Sequence, residues 1–179
     1  MAKKRGVAIY VKPKEEFGDE LEFSNIIVEF DTSTELIEKA QKIDKEIAKD
    51  LHSTGINYCV NEKFPNRKTH AGWRILRADE FEAMTEIEKK ATRSKYKYIG
   101  ITKEEGKITF NKISYAEEKL GMTTETINRS VSAVADDDYK RLRSLKYRFA
   151  KVGDYLKMSK KTDKVFHTPP DLDTIKYIT

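Results

Sequence analysis

Thr123, Thr124, Glu125, Asn128 and Arg129 lie within one short stretch, and their side chains are of the kinds that touch nucleic acid. Arginine reads guanine with paired donors, asparagine reads adenine, and glutamate accepts from the cytosine amino group. Downstream, ten Lys and Arg fall between Lys140 and Lys164, against only Asp154 and Asp163. Lys140, Arg141, Arg143, Lys146, Arg148 and Lys151 lead that run. Its chemistry is phosphate neutralisation, in which each contact releases counterion. Tyr147 and Tyr155 are interleaved and suit stacking on single-strand bases. The other reading of such a run is a solvated helix face, although those faces more often mix signs.

Other chemistry finds weaker support. His52, Cys59 and His70 are metal-ligating types, but no CxxC or HxxxH spacing is present, so no metal is expected. His52-Ser53-Thr54 matches half of the paired signature of two-histidine phosphoesterases, and His167-Thr168 has the wrong spacing for the other half. Lys157-Met158-Ser159-Lys160 imitates a synthetase signature loop without a nucleotide-binding fold before it. No phosphate-cradling glycine pattern occurs. The carboxylates at Glu15/Glu16 and Asp136 to Asp138 sit in charged, solvated stretches where no raised pKa is expected. Trp73, the sole tryptophan, reads as a core anchor, or alternatively as a stacking or partner hot spot. The expectation is a non-enzyme with no catalytic residue and no cofactor.

The elements that must position these residues follow from periodicity. Val7, Ile9 and Val11 alternate in a first strand, and Ile26 to Phe30 supply a second. Thr32 to Gly55 predicts one long helix, with Thr32 and Glu35 in capping-box spacing and Leu36, Ala40, Ile43, Ile47 and Leu51 as its stripe. INYCV then predicts a strand and residues 61–72 a loop. GWRILRADEF suggests another strand, and Thr85 to Lys95 a short helix. Residues 97–110 predict a hairpin turning at Lys103-Glu104-Glu105-Gly106. From Asn111 the period becomes helical: ISYAEEKLG, then TTETINRSVSAVA. A third helix is predicted from Tyr139, with Leu142, Leu145, Phe149, Val152 and Leu156 on its apolar side. The fold class expected is α+β: a small N-terminal mixed sheet with a packed helix over 1–110, a helical part over 111–161, and a C-terminal tail over 162–179.

Leu120-Gly121-Met122-Thr123-Thr124-Glu125-Thr126-Ile127-Asn128-Arg129 is similar to the LGxSxETVxR pattern of Crp/Fnr-type regulators and to the turn of sigma-factor promoter-reading helices. This resemblance to a helix-turn-helix unit covers about twenty residues. It implies that Gly121 makes the turn, Thr123 caps the second helix, and Leu120 and Ile127 join the helices. Thr124, Glu125, Asn128 and Arg129 would then enter the major groove. In such units a small buried residue usually stands where Glu117 is, an apolar one where Ser130 is, and in the regulator family a basic residue for base or phosphate contact often stands where Thr124 is. The same corner also suits a helical hairpin that only packs. Lys89, Lys90, Arg93, Lys95 and Lys97 lead into the hairpin, either as a wing on the phosphate backbone or as protection of an edge strand.

Composition agrees with a polyanion partner. The chain has 179 residues, 38% hydrophobic and 36% charged, with a net charge of +5. Residues 139–179 hold 11 Lys/Arg against 4 Asp/Glu, whereas residues 108–138 hold 3 against 6. One cysteine allows no intrachain disulfide and suits a reducing cytoplasm. No apolar run is long enough to span a membrane, and MAKKRG is not followed by a signal-peptide stretch. The expectation is a nucleic-acid-binding protein in transcription or replication control, with DNA ahead of RNA and pairing into a homodimer. The alternative is a small viral or mobile-element protein that inhibits a host protein, and the third reading is a viral structural component.

Overall fold

The computed structural model describes residues 5–102 and 106–170. Lys103 to Glu105 of the expected hairpin turn, the first four residues and the last nine of the expected tail lie outside the described residues. The strands are β1 (Gly6–Tyr10), β2 (Phe17–Gly18), β3 (Ile27–Phe30), β4 (Thr69–His70), β5 (Trp73–Arg77), β6 (Tyr98–Thr102), β7 (Gly106–Phe110) and β8 (Arg148–Lys151). The helices are α1 (Ser33–Ile43), α2 (Lys45–Ala48), α3 (Ser53–Val60), α4 (Ala78–Glu82), α5 (Glu86–Thr92), α6 (Ile113–Leu120), α7 (Thr124–Ala135), α8 (Tyr139–Ser144), α9 (Val152–Lys157) and α10 (Lys160–Phe166). The class is α+β.

The chain divides into two compact units, Met1–Lys12 with Phe23–Lys95 and Pro13–Glu22 with Tyr96–Thr179. The first holds a sheet of order β3-β1-β5-β4. A mixed sheet is expected here, but every neighbouring pair is antiparallel. The reason is the strand order: β1 separates β3 from β5 and β5 separates β1 from β4, so strands that run the same way are never neighbours. One face carries Ala8, Val28, Phe30, Trp73 and Ile75 into a core with Leu36, Ala40, Leu51, Ile56 and Cys59 from the helices. The other carries Val7, Ile9 and Val11 against Phe81. Trp73 is fully buried, and its indole N–H donates to the Ile47 carbonyl at 2.8 Å, which leaves it a core anchor.

Two expectations in this unit are corrected. The long helix from Thr32 to Gly55 breaks at Asp44, which has extended backbone (φ −163°, ψ 127°) and caps α2 by accepting from the Glu46 amide. Ile43, expected in the apolar stripe, is therefore 51% exposed. INYCV is helix α3, not strand. The His52 ring accepts from the Gly55 amide at the helix start, and Ile56, Cys59 and Val60 turn to the core. β-branched and aromatic residues give INYCV local strand preference, but core burial at helical spacing outweighs it. Elsewhere Thr85 and Glu88 form the reciprocal capping box of α5.

The second unit holds a sheet of order β2-β7-β6-β8. Its division from the first falls at Lys95/Tyr96 rather than after residue 110. The hairpin β6–β7, placed by sequence with the first part, is the surface on which the later helices pack. The helix expected from Tyr139 is also corrected. It stops at Ser144, and β8 pairs with β6 at Ile99↔Ala150 and Gly100↔Phe149. Gly100 makes room for this: a Cβ there would lie 2.5 Å from the Phe149 ring. The apolar spacing read as one helix face is thus shared among α8, β8 and α9. Part of the expected C-terminal tail is ordered as well, since α10 runs to Phe166 and buries that ring.

Candidate nucleic-acid interface

Helix α6 ends because Gly121 turns left-handed (φ 65°), while its amide donates to the Glu117 carbonyl at 2.8 Å. Thr123 then caps α7, its hydroxyl accepting from the Thr126 amide at 3.3 Å. Met122 and Ile127 are buried, with Leu120 packed against the same cluster. Along α7, Ile127, Ser130, Val131, Ala133 and Val134 face inward, while Thr124, Glu125, Asn128 and Arg129 share the exposed side. That exposed side is partly engaged with itself. Arg129 pairs with Glu125 at 2.5 Å, and the Thr124 hydroxyl donates to Glu117 across the turn. Glu117 and Ser130, two of the departures from the helix-turn-helix pattern, thereby acquire roles. Glu117 ties the turn, and Ser130 is fully buried against β8.

The basic residues are distributed differently from the single helix that the sequence suggests. Arg141 is folded back onto the end of α7, where its guanidinium donates to Asp136 at 3.0 Å and Ser132 at 3.1 Å. Arg148 is removed from the contact set. It is 1% exposed and donates to the carbonyls of Val165 at 3.0 Å, Tyr147 at 3.1 Å and Leu145. Burial pushes its guanidinium down to about 10, so it stays charged at neutral pH. Leu145 and Val165 lie at the C-terminal ends of α8 and α10. Carbonyls at such ends carry partial negative charge, which is how a cation is accommodated there without a carboxylate. The turn into β8 directs this side chain inward, and no charge count along the sequence reveals it.

Lys140, Arg143, Lys146 and Lys151 remain exposed, and none has a carboxylate partner among the described residues. Helices α8 and α10 pack together through Leu142 and Phe166 in one cluster. The Lys161 ammonium lies over the Tyr139 ring at 5.5 Å, joining the outer sides of the pair. Lys140 and Arg143 thus stand on one helix of the pair and Lys160, Lys161 and Lys164 on the other, all exposed. Of the acids nearby, Asp163 lies 3.3 Å from the His167 ring, Asp136 accepts from Arg141, and Asp137 accepts from the Ser159 amide at the start of α10. Neither tyrosine of the run is a free stacking platform: Tyr147 tilts against Phe149, and Tyr155 against Phe166 and His167.

The upstream basic cluster is used within the chain. Lys89 and Lys90 lie over Phe81 and Phe23, and Arg93 donates to the Ser24 carbonyl and the Asn25 side chain. Lys97 lies over Tyr98. The His52 and His70 rings meet edge to face at 4.3 Å. No third ligand joins them, and no metal-ligating group of three occurs among the described residues. Burial, then His52 and Arg67, push His70 below its ordinary value, whereas burial pushes the Cys59 thiol up. No helix among the described residues is long and apolar enough to cross a membrane. No protein-family model matches the chain, and neither does a curated protein or a solved structure.

Proposed function

We propose that the second unit binds nucleic acid, duplex DNA ahead of RNA, in transcription or replication control. The paired α8–α10 face lies on phosphate, and the exposed side of α7 lies toward a groove. The observation that carries this reading is the assembly of Lys140, Arg143, Lys160, Lys161 and Lys164 on two packed helices with no carboxylate partner among the described residues. Such a face concentrates positive potential and attracts a polyanion by counterion release. Thr124, Glu125, Asn128 and Arg129 contribute groove contacts once Arg129 exchanges Glu125 for a base or phosphate. One short helix covers few base pairs, so the reading includes two copies on one site. The test is fluorescence anisotropy on duplex DNA across a salt series, comparing wild type with Lys140→Ala/Arg143→Ala/Lys161→Ala/Lys164→Ala. Salt-sensitive binding lost in that variant supports the reading, and no duplex binding at low salt sinks it.

The second reading, a protein partner such as a host factor, draws on the Arg129–Glu125 pair and the acidic balance of residues 108–138. A neutral, self-paired helix side suits protein docking better than phosphate. Stable co-migration with one purified partner, insensitive to Lys140 and Lys161 substitution, would favour it.

A further inference from the structure

Tyr58 and Phe64 are large rings left at the surface of the first unit, 38% and 41% exposed. Isolated exposed rings are common in soluble proteins and need no explanation. These two are not isolated: their centroids are 5.1 Å apart, edge to face, and the Arg67 guanidinium lies 4.8 Å over the Tyr58 ring. A surface cluster of two rings and a cation is therefore already built.

The cluster is held by backbone. Phe64 lies in the loop after α3, where its amide donates to the Asn61 carbonyl at 3.0 Å and the Arg67 amide donates to the Phe64 carbonyl at 3.1 Å. The Lys63 amide donates to the Asn61 side chain at 2.9 Å. Pro65 restricts Phe64 to extended backbone. Consecutive turns thus hold the backbone that carries the ring, and the edge-to-face contact with Tyr58 restrains the ring without burying it, so part of the ordering cost for a flat ligand is already met in folding.

The surrounding charge selects the ligand. Lys63 and Arg67 are exposed and take no carboxylate partner among the described residues, whereas Lys68 and Arg77 are paired with Glu80 and Glu62. Aromatic planes beside free cations suit a flat base next to a phosphate, and bases present their faces only when unpaired.

We infer that Tyr58, Phe64 and Arg67, with Lys63, form a stacking site for single-stranded nucleic acid on the first unit. A base lies on the Phe64 ring or the outer guanidinium plane of Arg67, and Lys63 takes the adjoining phosphate. The site is separate from the α8–α10 face and goes beyond the duplex reading.

The experiment titrates fluorescein-labelled single-stranded DNA and RNA of one mixed sequence, and a duplex of that sequence, into the full chain. Proteins are wild type, Phe64→Ala, Arg67→Lys and the four-cation α8–α10 variant. Phe64→Ala is expected to weaken single-strand binding about tenfold or more, the usual worth of a stacked base, and to leave duplex binding unchanged. Arg67→Lys keeps the charge and removes the plane, so it weakens single strands without flattening the salt dependence. Loss with either sugar supports the site; loss with both shows a contact that the two share, and loss with RNA alone shows a further contact to the 2′-hydroxyl. Wild-type single-strand affinity in both Phe64→Ala and Arg67→Lys overturns the inference, as does failure of wild type to bind single strands at low salt. Failure of duplex binding alone refutes only the α8–α10 reading. Unchanged far-ultraviolet circular dichroism in each variant separates these outcomes from unfolding.

Discussion

The Ser130 hydroxyl holds both backbone groups of Phe149, accepting from its amide at 2.7 Å and donating to its carbonyl at 3.1 Å. One buried side chain thereby pins α7 to the edge strand β8, so the position of the exposed α7 side is tied to the sheet. Ser130→Ala strands a buried donor and acceptor together. The expected cost is about 1–3 kcal/mol, read as a lower urea midpoint with unchanged slope. A midpoint equal to wild type would mean that water replaces the hydroxyl.

Gly100 and Gly121 should respond differently to alanine. At Gly100 the new methyl meets the Phe149 ring at 2.5 Å, whereas at Gly121 it meets nothing within 4 Å. Gly121→Ala is charged only for its left-handed backbone, about 1–2 kcal/mol. Gly100→Ala must displace β8, and is expected to cost more and to broaden amide signals around Phe149 in NMR spectra. Equal losses would contradict the packing of Phe149 over Gly100.

Salt dependence counts phosphate contacts. If Lys140, Arg143, Lys161 and Lys164 each neutralise one phosphate, their joint removal lowers the slope of log affinity against log salt by about 3–4. The same measurement on Arg148→Lys should show an unchanged slope, because Arg148 is buried among carbonyls; its change should appear as lost thermal stability instead. A slope altered by Arg148→Lys would place that residue on the ligand.

Asp137 supplies a pH-dependent contribution. It adopts a left-handed conformation (φ 50°) after α7, and its carboxylate accepts from the Ser159 amide at 3.0 Å at the start of α10. Thr162 first, then Ser159, hold its carboxyl below the ordinary carboxylate value. The depressed group stabilises the fold fully above that ordinary value, and the contribution is lost as pH falls through the folded value. Asp137→Asn tolerates the same backbone and does not titrate. Its unfolding midpoint should fall less between neutral pH and pH about 3 than that of wild type. Parallel declines in the two proteins would remove Asp137 from the acid response.

Local signals were the legible ones. Gly121 and Thr123 mark a turn and a cap through their own backbone and hydroxyl chemistry, and Thr85 with Glu88 marks a helix start in the same way. What eluded the sequence was set by distant partners. Residues 148–151 look helical in spacing, and become strand because β6 offers an unpaired edge and Gly100 a space for Phe149. Asp44 ends α1 by capping α2, which a continuous apolar stripe conceals. For the candidate interface, the basic run was visible, but its division was not. Arg148 turns inward with β8, Arg141 folds onto Asp136, and the helix of Lys160, Lys161 and Lys164 joins that of Lys140 only because Leu142 and Phe166 pack across some twenty residues of chain. Tyr58 was hidden inside a segment read as strand.

The excursion of residues 13–22 out of the first unit has a consequence for synthesis and for dissection. Those residues are made early, yet β2 pairs with β7, whose residues emerge from the ribosome some ninety positions later. The first sheet can close once Arg77 is available, leaving a loop whose strand has no template until the hairpin follows. A cut at Lys95 therefore does not yield two self-sufficient halves. The C-terminal piece would lack its own outer strand and the Glu15 and Glu20 carbonyls that receive Tyr96 and Thr109. Supplying residues 13–22 as a separate peptide should restore it, so the chain offers a natural place for split-protein complementation.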